Sequence, residues 1–335
     1  MKILLDDSKG YYKANLHCHT NLSDGRATPE DIKREYKARG YSVVAITDHE
    51  HLIDNSDLND DEFITITSAE LAVKEFPEQS TLKNYNMKVA HFNIYAKEPS
   101  NTLTPCYSKV ADHYVTDLTR HRIKGDGDHV RVYTADYVNG MIKLAHERGF
   151  LIAYNHPSWS LETAVDYLKY DGFDFVEIHN TSCVKAGHPD DESVFADMLR
   201  AGKKIYCTAA DDNHNRYGFD EPYTESFGGW VMINAERLGY KEIIEALESG
   251  NFYASTGPKI YSMTQDGDTV RIKTSPVKAI NAKTRGRHMY KLFAAPGEYL
   301  TEAEFKFCEM DDFFRIVATD EYGKRAFTQA YDIEV

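Results

Sequence analysis

The sequence predicts an α/β fold, in which a TIM-like barrel of strand–helix units is followed by a small all-β sandwich domain. Over the first three quarters of the 335 residues, short apolar runs alternate with amphipathic stretches. Repeated strand–helix units are typical of parallel sheets. About seven or eight strands in roughly 250 residues favour a closed barrel over an open sheet. The helical patterns stop after Pro258, so we predict a barrel over residues 1–258 and a β-sandwich over 259–335.

The predicted barrel strands cover residues 13–18, 42–48, 63–71, 89–96, 150–155, 173–179, 204–210 and 228–234. The first predicted helix opens at Thr28-Pro29, an N-cap followed by proline at the first helical position, and it ends at Gly40. Helices over 134–148, 190–201 and 239–249 are each followed by glycine. Residues 97–133 show no clear periodicity, and we predict a lid insertion because loops of this length are often lids.

The C-terminal segment has strand patterns instead of helical ones. Residues 260–264 and 268–274 flank Gln265-Asp266-Gly267, which is a hairpin turn signal. Residues 302–308 and 312–319 flank another acidic turn, and the chain closes with alternating residues from Thr328. Strands of this kind without helices between them indicate the predicted β-sandwich.

Composition excludes several classes of protein. The net charge of −14 disfavours binding to a nucleic-acid polymer. No apolar run approaches the roughly 18 residues that a membrane span needs, and the first residues lack the apolar core of a secretory signal. The 5 cysteines are odd in number and contain no Cys-x-x-Cys pair, which argues against a disulfide framework or a zinc ribbon. We therefore expect a cytoplasmic protein, with its oligomeric state open.

Histidines and carboxylates gather at the ends of the predicted strands. They are His17, His19, His49, Glu70 and His156, with Asp212 and His214 just after a strand and His91 within the strand 89–96. The C-terminal ends of parallel strands form the rim where barrels build their sites, and mixed imidazole and carboxylate clusters suit zinc, manganese or iron. Any one of these histidines alone would more often be a core residue than a ligand. Independent core histidines have no reason to follow successive strands, so the set predicts a metal site.

The order of these motifs resembles a known family. The motifs are His17-Cys18-His19-Thr20, Ser23-Asp24-Gly25, Thr47-Asp48-His49, Glu70, Asn155-His156-Pro157 and Asp212-Asn213-His214. In this order they resemble the PHP (polymerase and histidinol phosphatase) family of metal-dependent phosphoesterases. Residues 252–258 and 317–326 are similar to the carbaryl-hydrolase-like branch, whose members carry a C-terminal β domain. The resemblance implies a distorted (β/α)7 barrel with two or three divalent ions, of zinc, manganese or iron, at the strand ends.

The resemblance also implies a ligand set for each ion. The first ion is assigned His17, His19, Glu70 and Asp212. The second is assigned Asp24, His49 and His214, with Asp24 at a position where many relatives have histidine. The third is assigned His91, His156 and a bridging Glu70. The spacing to His214 favours Asp212 over Asp211 as the ligand, and Asp48 is expected to orient a ligand. His51 is either a surface residue or one that faces substrate.

Other residues are candidates for contact with substrate. Glu177 and His179 are predicted to share a strand face near the rim, with Glu177 either a polar core residue or part of the site. His179 is assigned to substrate contact or proton transfer, beside the catalytic candidates Glu70 and Asp212. Lys185 and His188 lie in a polar loop, and Arg216 either clasps a phosphate or is a surface arginine. The basic residues of the insertion, which a lid could deliver, are Arg120, Arg122, Lys124 and Arg131.

These residues predict a hydrolase that acts on an anionic small molecule. Three divalent ions would outweigh the three carboxylates of the ligand set and leave the pocket positive. The leading hypothesis is a phosphoesterase that uses attack by a metal-bridging hydroxide, so no serine or cysteine nucleophile is needed and Cys18 is expected in the core. The alternative is hydrolysis of a carboxylic ester, amide or carbamate. A second alternative is a non-catalytic, metal-stabilised binding protein.

Overall fold

The computed structural model describes residues 1–76, 86–111, 114–115 and 117–334. The strands up to Pro258 are β1 (Lys2–Leu5), β2 (Gly10–Asn15), β3 (Val43–Ile46), β4 (Ile64–Lys74), β5 (Val89–Ala96), β6 (Leu103–Thr104), β7 (Lys124–Gly125), β8 (Phe150–Tyr154), β9 (Phe175–Asn180), β10 (Tyr206–Ala210), β11 (Trp230–Ala235) and β12 (Phe252–Ser255). The later strands are β13 (Ile260–Asp266), β14 (Thr269–Val277), β15 (Ala279–Thr284), β16 (Met289–Phe293), β17 (Leu300–Lys306), β18 (Phe313–Thr319), β19 (Arg325–Phe327) and β20 (Tyr331–Asp332).

The helices lie between the strands of the first three quarters. They are α1 (Pro29–Ala38), α2 (Asp117–Arg120), α3 (Ala135–Glu147), α4 (Ala164–Tyr167), α5 (Thr181–Lys185), α6 (Glu192–Arg200) and α7 (Tyr240–Glu248). Thr28 caps α1 through a reciprocal pair of hydrogen bonds with Asp31, which confirms the predicted start of this helix. The other three predicted helices are also present, as α3, α6 and α7. None of the described helices is both long and apolar enough to cross a membrane.

The predicted barrel strands are all present, but two predictions about them are wrong. Strands β2, β3 and β4 are parallel, as are β8, β9 and β10. Strand β5 is antiparallel to both β4 and β8, and β11 is antiparallel to β2. Strand β5 follows β4 directly and pairs Val89 with Lys74, so the chain returns alongside β4. Strand β2 ends at Asn15, so His17 and His19 follow the strand instead of ending it.

One long sheet connects these strands in the order β10-β9-β8-β5-β4-β3-β2-β11-β12-β19-β18-β15-β16, with β20 beside β18. A parallel bridge between Cys18 and Asn213 links the segments that follow β2 and β10. These two strands lie far apart in the sheet order, so the bridge brings distant strand ends together. The fold is thus a mixed α/β fold, and the distorted seven-stranded barrel stays a prediction.

The chain after Pro258 forms two facing groups of strands. A four-stranded sheet has the order β1-β13-β14-β17, while the other late strands extend the long sheet. The predicted hairpin is confirmed by pairing of Asp266 with Thr269. Strands β17 and β18 belong to different sheets, so the acidic turn between them crosses the sandwich. Buried side chains of both sheets, including Ile272 and Ile316, form one apolar cluster. Strand β1 comes from the N-terminus and completes this unit by pairing with β13.

The insertion at 97–133 is anchored to the strands below it by Arg131. Its guanidinium forms a salt bridge with Glu50 (Nη2 to Oε2, 2.8 Å) and donates to the carbonyl oxygens of Ala72 and Cys106. Both side chains of the ion pair are almost fully buried, at 4% and 2% exposed. Arg131 is therefore a structural residue, not a cation free to be delivered to the site.

Candidate metal centre

All of the predicted metal ligands converge where the strands end. The candidate ligands are His17, His19, Asp24, His49, Glu70, His91, His156, Asp212 and His214, and each belongs to a group whose ligand atoms lie within 4.8 Å of one another. The groups share residues, because His17, His19, Glu70 and His156 each belong to two of them; a fourth group joins Glu177 to His17 and His156. The sets predicted for the three ions therefore form one continuous centre.

The first group consists of His17, His19, Glu70 and Asp212. The Nε2 atoms of the two histidines lie 3.2 Å apart, and each approaches Oδ1 of Asp212, at 3.2 Å and 3.0 Å. They lie 3.5 Å and 3.4 Å from the two oxygens of Glu70. Metal–ligand bonds of about 2 Å in a tetrahedron give ligand–ligand edges of about 3.3 Å. The spacing of this group matches that of a divalent-metal site.

The second group joins Asp24 to His19, His49 and His214. Nε2 of His214 lies 3.3 Å from Oδ2 of Asp24, and Nε2 of His49 lies 3.7 Å from Oδ1. Nδ1 of His19 is 3.7 Å from Oδ1 of the same carboxylate. This group is wider than the first, and Asp24 is its most exposed member, with 23% of the side chain accessible.

The third group surrounds Oε1 of Glu70. Nδ1 of His91 lies 3.0 Å from this oxygen and Nε2 of His156 lies 3.2 Å from it. The other oxygen of Glu70 faces His19 and also Nδ1 of His49, at 3.2 Å. Glu70 therefore has one oxygen toward each side of the centre, as a bridging carboxylate requires.

Three buried ligand atoms make no hydrogen bond of acceptable geometry with any described residue, although two of them lie about 3 Å from a neighbouring ligand atom. They are Nδ1 of His19, Nδ1 of His91 and Oδ1 of Asp212. Leaving a buried polar atom unpaired is costly, so such atoms indicate an absent partner. Each belongs to a group of imidazoles and carboxylates, the donor set that zinc, manganese and iron accept. The residues present fit divalent metal ions.

The electrostatics of the centre keep its carboxylates charged. Burial would raise the pKa of Glu70, but the imidazoles of His91, His17 and His49 outweigh it and hold that pKa well below its usual value. Burial likewise opposes the low pKa of Asp212, which is set by His17, His19 and His214. Burial would lower the pKa of His19, but the carboxylates of Asp212 and Glu70 raise it to about 10. Without a metal, imidazolium cations would have to balance these carboxylates.

Residues behind the centre fix the ligands in place. Glu177 lies 3.1 Å from Nδ1 of His17, and its other oxygen accepts from the backbone N–H of His156 and from the Asn180 amide. The same Asn180 amide donates to Asp212 (3.0 Å). Partners of this kind set the tautomer and orientation of a ligand. Glu177 is thus part of the site and does not merely fill the core.

Neighbouring carboxylates have other roles. Asp211 accepts from the backbone N–H groups of Phe227, Gly228 and Gly229 and belongs to none of the metal-ligand groups, in agreement with the choice of Asp212. Asp48 was expected to orient a ligand, but it accepts from the backbone N–H of Thr20 and from the hydroxyls of Thr20 and Ser23. It therefore shapes the loop that carries Asp24.

The backbone at the centre is tightly constrained. His156 and Asp212 have positive φ angles, of 24° and 51°, which non-glycine residues rarely adopt. Gly25 packs so closely on His19 that a Cβ would lie 2.7 Å from the backbone carbonyl carbon of His19. The Ser23-Asp24-Gly25 motif therefore needs glycine at its third position to bring Asp24 to the histidines.

The centre opens into a cavity of about 680 Å³. Its lining includes the carboxylates Asp24, Glu50, Glu70 and Asp212 and the histidines His49, His91, His156 and His214. Lys74, His188 and Arg216 add basic groups to its lining, while Trp159 and Leu161 add apolar surface. The ring of Tyr114, from the insertion, stacks on His49 with 4.4 Å between centroids. The lining of the cavity therefore combines candidate metal ligands, basic groups and apolar side chains.

Several predicted substrate residues lie elsewhere. The pairing of β9 with β10 shifts between Glu177 and His179, and this irregularity breaks their predicted common face. His179 contacts Asp190 (Nδ1 to Oδ1, 2.7 Å) and is not among the residues that line the cavity. Lys185 donates to the carbonyl oxygen of Thr224 and is not a lining residue. His51 is fully buried, which rules out the surface position, and it is not among the residues that line the cavity. Cys18 is buried in an apolar cluster, which confirms its expected core position.

Sequence reasoning missed Lys74 and Trp159, although both left a signal. Residues two apart on a strand share a face, and Glu70, Ala72 and Lys74 of β4 all line the cavity. Trp159 follows the Asn155-His156-Pro157 motif closely, and its ring lies 5.0 Å from that of His156. Tyr114 left no comparable signal, because the insertion has no periodicity.

The family of the chain follows from comparison of its sequence with family models. The model described as PHP domain matches residues 15–191. The chain belongs to the PHP family. It is therefore related to metal-dependent hydrolases of the phosphoesterase type. The match includes the candidate ligands from His17 to His156, while Asp212 and His214 lie beyond it. No curated protein sequence matches the chain significantly.

Three solved structures show distant likeness to this PHP protein. A two-domain protein from Bacteroides vulgatus, containing a predicted PHP-like metal-dependent phosphoesterase, is 13% identical with a TM-score of 0.44, covering 100% of this chain and 98% of that chain. A proposed metal-dependent phosphoesterase from Bifidobacterium adolescentis is 14% identical, with a TM-score of 0.37. The match covers 70% of this chain and 94% of that chain. An amidohydrolase from Chromobacterium violaceum, with bound sulfate and no metal, is 14% identical, with a TM-score of 0.37. The match covers 60% of this chain and 87% of that chain. At these TM-scores the likenesses do not bear on the chemistry of this chain.

Proposed function

We propose that this PHP protein is a metal-dependent phosphoesterase that hydrolyses a phosphate ester of a small molecule. The observation that carries the proposal is the continuity of the three ligand groups through Glu70 and His19, at the floor of a cavity that also presents Lys74 and Arg216. A floor of ligated cations with further basic groups beside it suits a phosphate group.

The proposed ligands are those of the three groups, and they would hold two or three divalent ions of zinc, manganese or iron. Bound there, such ions supply Lewis acidity and lower the pKa of a coordinated water. Glu70 and Asp212 hold their charge in the buried centre, and Glu177 orients His17. The ammonium of Lys74 and the guanidinium of Arg216 are positioned to bind phosphate oxygens, and Trp159 excludes water from the apolar side.

One observation favours a second candidate, hydrolysis of a carboxylic ester, amide or carbamate. Besides Trp159 and Leu161, the lining includes Met87 and Val89, so a substantial part of the cavity is apolar. An uncharged organic substrate would fit such a wall. This candidate agrees with the resemblance to the carbaryl-hydrolase-like branch, which remains a prediction. The basic groups on the lining favour the phosphate ester.

Release of inorganic phosphate by the manganese-loaded protein tests the proposal. The substrates are a panel of sugar, amino-alcohol and nucleotide phosphates. Asp212→Asn is the inactive variant, and His288→Gln, at an exposed histidine in the turn between β15 and β16, is the matched control. We expect selective release that is lost in Asp212→Asn and kept in His288→Gln. Release of alcohol or amine from carboxylic or carbamic esters, with no phosphate from any monoester, would establish the second candidate. Binding of the metals without hydrolysis of either class would indicate a non-catalytic protein.

A further inference from the structure

A second cavity lies away from the metal centre, where the strand–helix part of the chain meets the C-terminal strands. Its volume is about 390 Å³, within the range of small-molecule sites. Its lining comes from helix α6 on one side and from strands β15, β16 and β18 on the other. None of its lining residues contributes to the metal centre or to the cavity above it.

The charge of this cavity is opposite to that of the whole protein. Its described lining carries four basic side chains, from Arg200, Lys283, Arg287 and Arg315, and one acidic side chain, from Glu192. The chain as a whole has a net charge of −14. Basic side chains gathered in a concave site concentrate a positive potential there. The excess of basic over acidic side chains in this cavity therefore needs its own explanation.

An ion-pair network accounts for part of the excess. Glu192 accepts from Lys283 and from Nη1 of Arg315 (2.9 Å), and also from Arg325 (2.7 Å), which in turn reaches Asp190. The Arg315 side chain is 5% exposed, so this arginine needs its carboxylate. The network ties α6 to β15, β18 and β19. It explains Lys283, Arg315 and Arg325 as structural residues.

Arg200 and Arg287 are not explained in this way. Arg200 approaches Asp197 at 3.5 Å in an exposed pair on the same helix, which contributes little to stability. Arg287 is exposed and makes no ion pair with any described residue. Both guanidinium groups belong to the lining, where the hydroxyl residues Ser193 and Thr284 also lie. Guanidinium and hydroxyl donors around a small concavity are the groups that recognise phosphate oxygens.

We propose that this cavity is a binding site for a small phosphorylated molecule, separate from the metal centre, with Arg200 and Arg287 as its anion-binding residues. The volume of about 390 Å³ suits a small molecule better than a phosphorylated polypeptide. Met289 and Phe313 provide an apolar contact for the organic part of the ligand. The C-terminal strands thereby supply half of a ligand site as well as packing against the rest of the chain.

Calorimetric titration of the metal-loaded, full-length protein with inorganic phosphate at low ionic strength tests this site. The test variant is Arg200→Ser/Arg287→Ser, and the matched control is Arg271→Ser, an exposed arginine of β14 paired with Glu304. We expect the wild-type protein and the control to bind one more phosphate than the double variant. Metal content and hydrolytic activity should be unchanged in the double variant, since neither arginine lines the metal cavity.

A further pair of variants separates the two cavities. Lys74→Gln/Arg216→Gln removes basic groups from the metal cavity, and it should keep the binding event that Arg200→Ser/Arg287→Ser loses. Arg287→Ser alone should weaken this event roughly tenfold, which keeps the test valid if the double variant is unstable. Equal phosphate stoichiometry and affinity in the wild-type and Arg200→Ser/Arg287→Ser proteins would overturn the proposal. Loss of all binding in Lys74→Gln/Arg216→Gln would do the same, because phosphate would then occupy only the metal cavity. Neither result depends on whether a phosphate ester is hydrolysed.

Discussion

Oε1 of Glu177 lies 3.1 Å from Nδ1 of His17, and this contact fixes which nitrogen of the imidazole faces the metal centre. With a metal bound, a proton held on Nδ1 by Glu177 would leave Nε2 of His17 free to coordinate on the side of Asp212 and Glu70. Glu177 thus determines the tautomer of a ligand without itself facing the cavity. A carboxylate in this position commonly strengthens metal binding through the histidine that it holds.

Replacing Glu177 by glutamine should therefore weaken metal binding. The amide cannot supply the negative charge that holds His17, and we expect a loss of about 10- to 100-fold in metal affinity. Competition with a chelating dye would measure it. Glu162→Gln is the matched control, because Glu162 is a buried glutamate that accepts from Tyr133, Tyr154 and Tyr170 and contacts none of the proposed ligands. Equal metal affinity in the wild-type and Glu177→Gln proteins would rule out this role.

Removal of the basic groups of the metal cavity should weaken substrate binding. Burial lowers the pKa of Lys74, and Glu50 opposes this shift, so the ammonium faces the cavity in a poorly solvated place. We expect Lys74→Gln and Arg216→Gln each to raise KM for a phosphate ester roughly tenfold, with a smaller change in kcat. Steady-state kinetics would show this split. Lys241→Gln, on the exposed face of α7, should change neither constant, and an unaltered KM in both cavity variants would contradict the assignment.

The ion pair between Arg131 and Glu50 should be necessary for stability. Both side chains are buried, so Arg131→Met would leave the Glu50 carboxylate uncompensated, and we expect a loss of about 3 to 5 kcal/mol in the free energy of unfolding. Adding Glu50→Gln should restore part of this loss. Urea unfolding of the single and double variants forms the cycle that measures the coupling. Simple additivity of the two losses would show that the pair does not act as a unit.

Glu162 should make stability depend on pH. Burial raises the pKa of this carboxyl, and the hydroxyls of Tyr154, Tyr170 and Tyr133 offset burial only in part. The folded protein therefore holds the proton more tightly than the unfolded chain does. The contribution of Glu162 to stability is fully present below the unfolded pKa, near 4.3, and is lost as the pH rises through the folded pKa.

The variant Glu162→Gln isolates this effect. As the pH rises, the free energy of unfolding should fall less in this variant than in the wild type. The difference between the two falls should be about 1.4 kcal/mol for each unit by which folding raises the pKa of Glu162. Urea unfolding at a series of pH values from about 4.5 upward provides the comparison. Parallel pH profiles of the two proteins would show that Glu162 does not titrate abnormally.

The positions of the strands and candidate ligands were predictable because both depend on local pattern. Apolar runs bounded by turn residues mark a strand whatever its direction, so β5 was located correctly although its direction was not. Direction depends on where the chain returns, which a strand's own residues do not encode. The candidate ligands follow successive strands, and their order predicted that segments distant in the sequence, such as those that carry His17 and Asp212, would meet.

The site residues that were wrongly placed depend on features without a local signal. His179 was assigned to the site from strict alternation on β9, which the irregular pairing after Glu177 interrupts. Arg131 was one of several basic residues in an aperiodic segment, and only tertiary packing shows that it is committed to Glu50. Lys74 could have been found, since alternation from Glu70 along β4 leads directly to it.

Strand β1 has a consequence for the order in which the ribosome delivers this fold. Lys2–Leu5 leaves the ribosome long before its pairing partner, Ile260–Asp266, has been made. At roughly 5 to 20 residues per second, the interval is about 10 to 50 s. During that time Leu4 and Leu5, both buried in the finished protein, belong to an unpaired strand. A nascent chain that stalls before residue 260 therefore displays an apolar edge that a chaperone or protease can recognise.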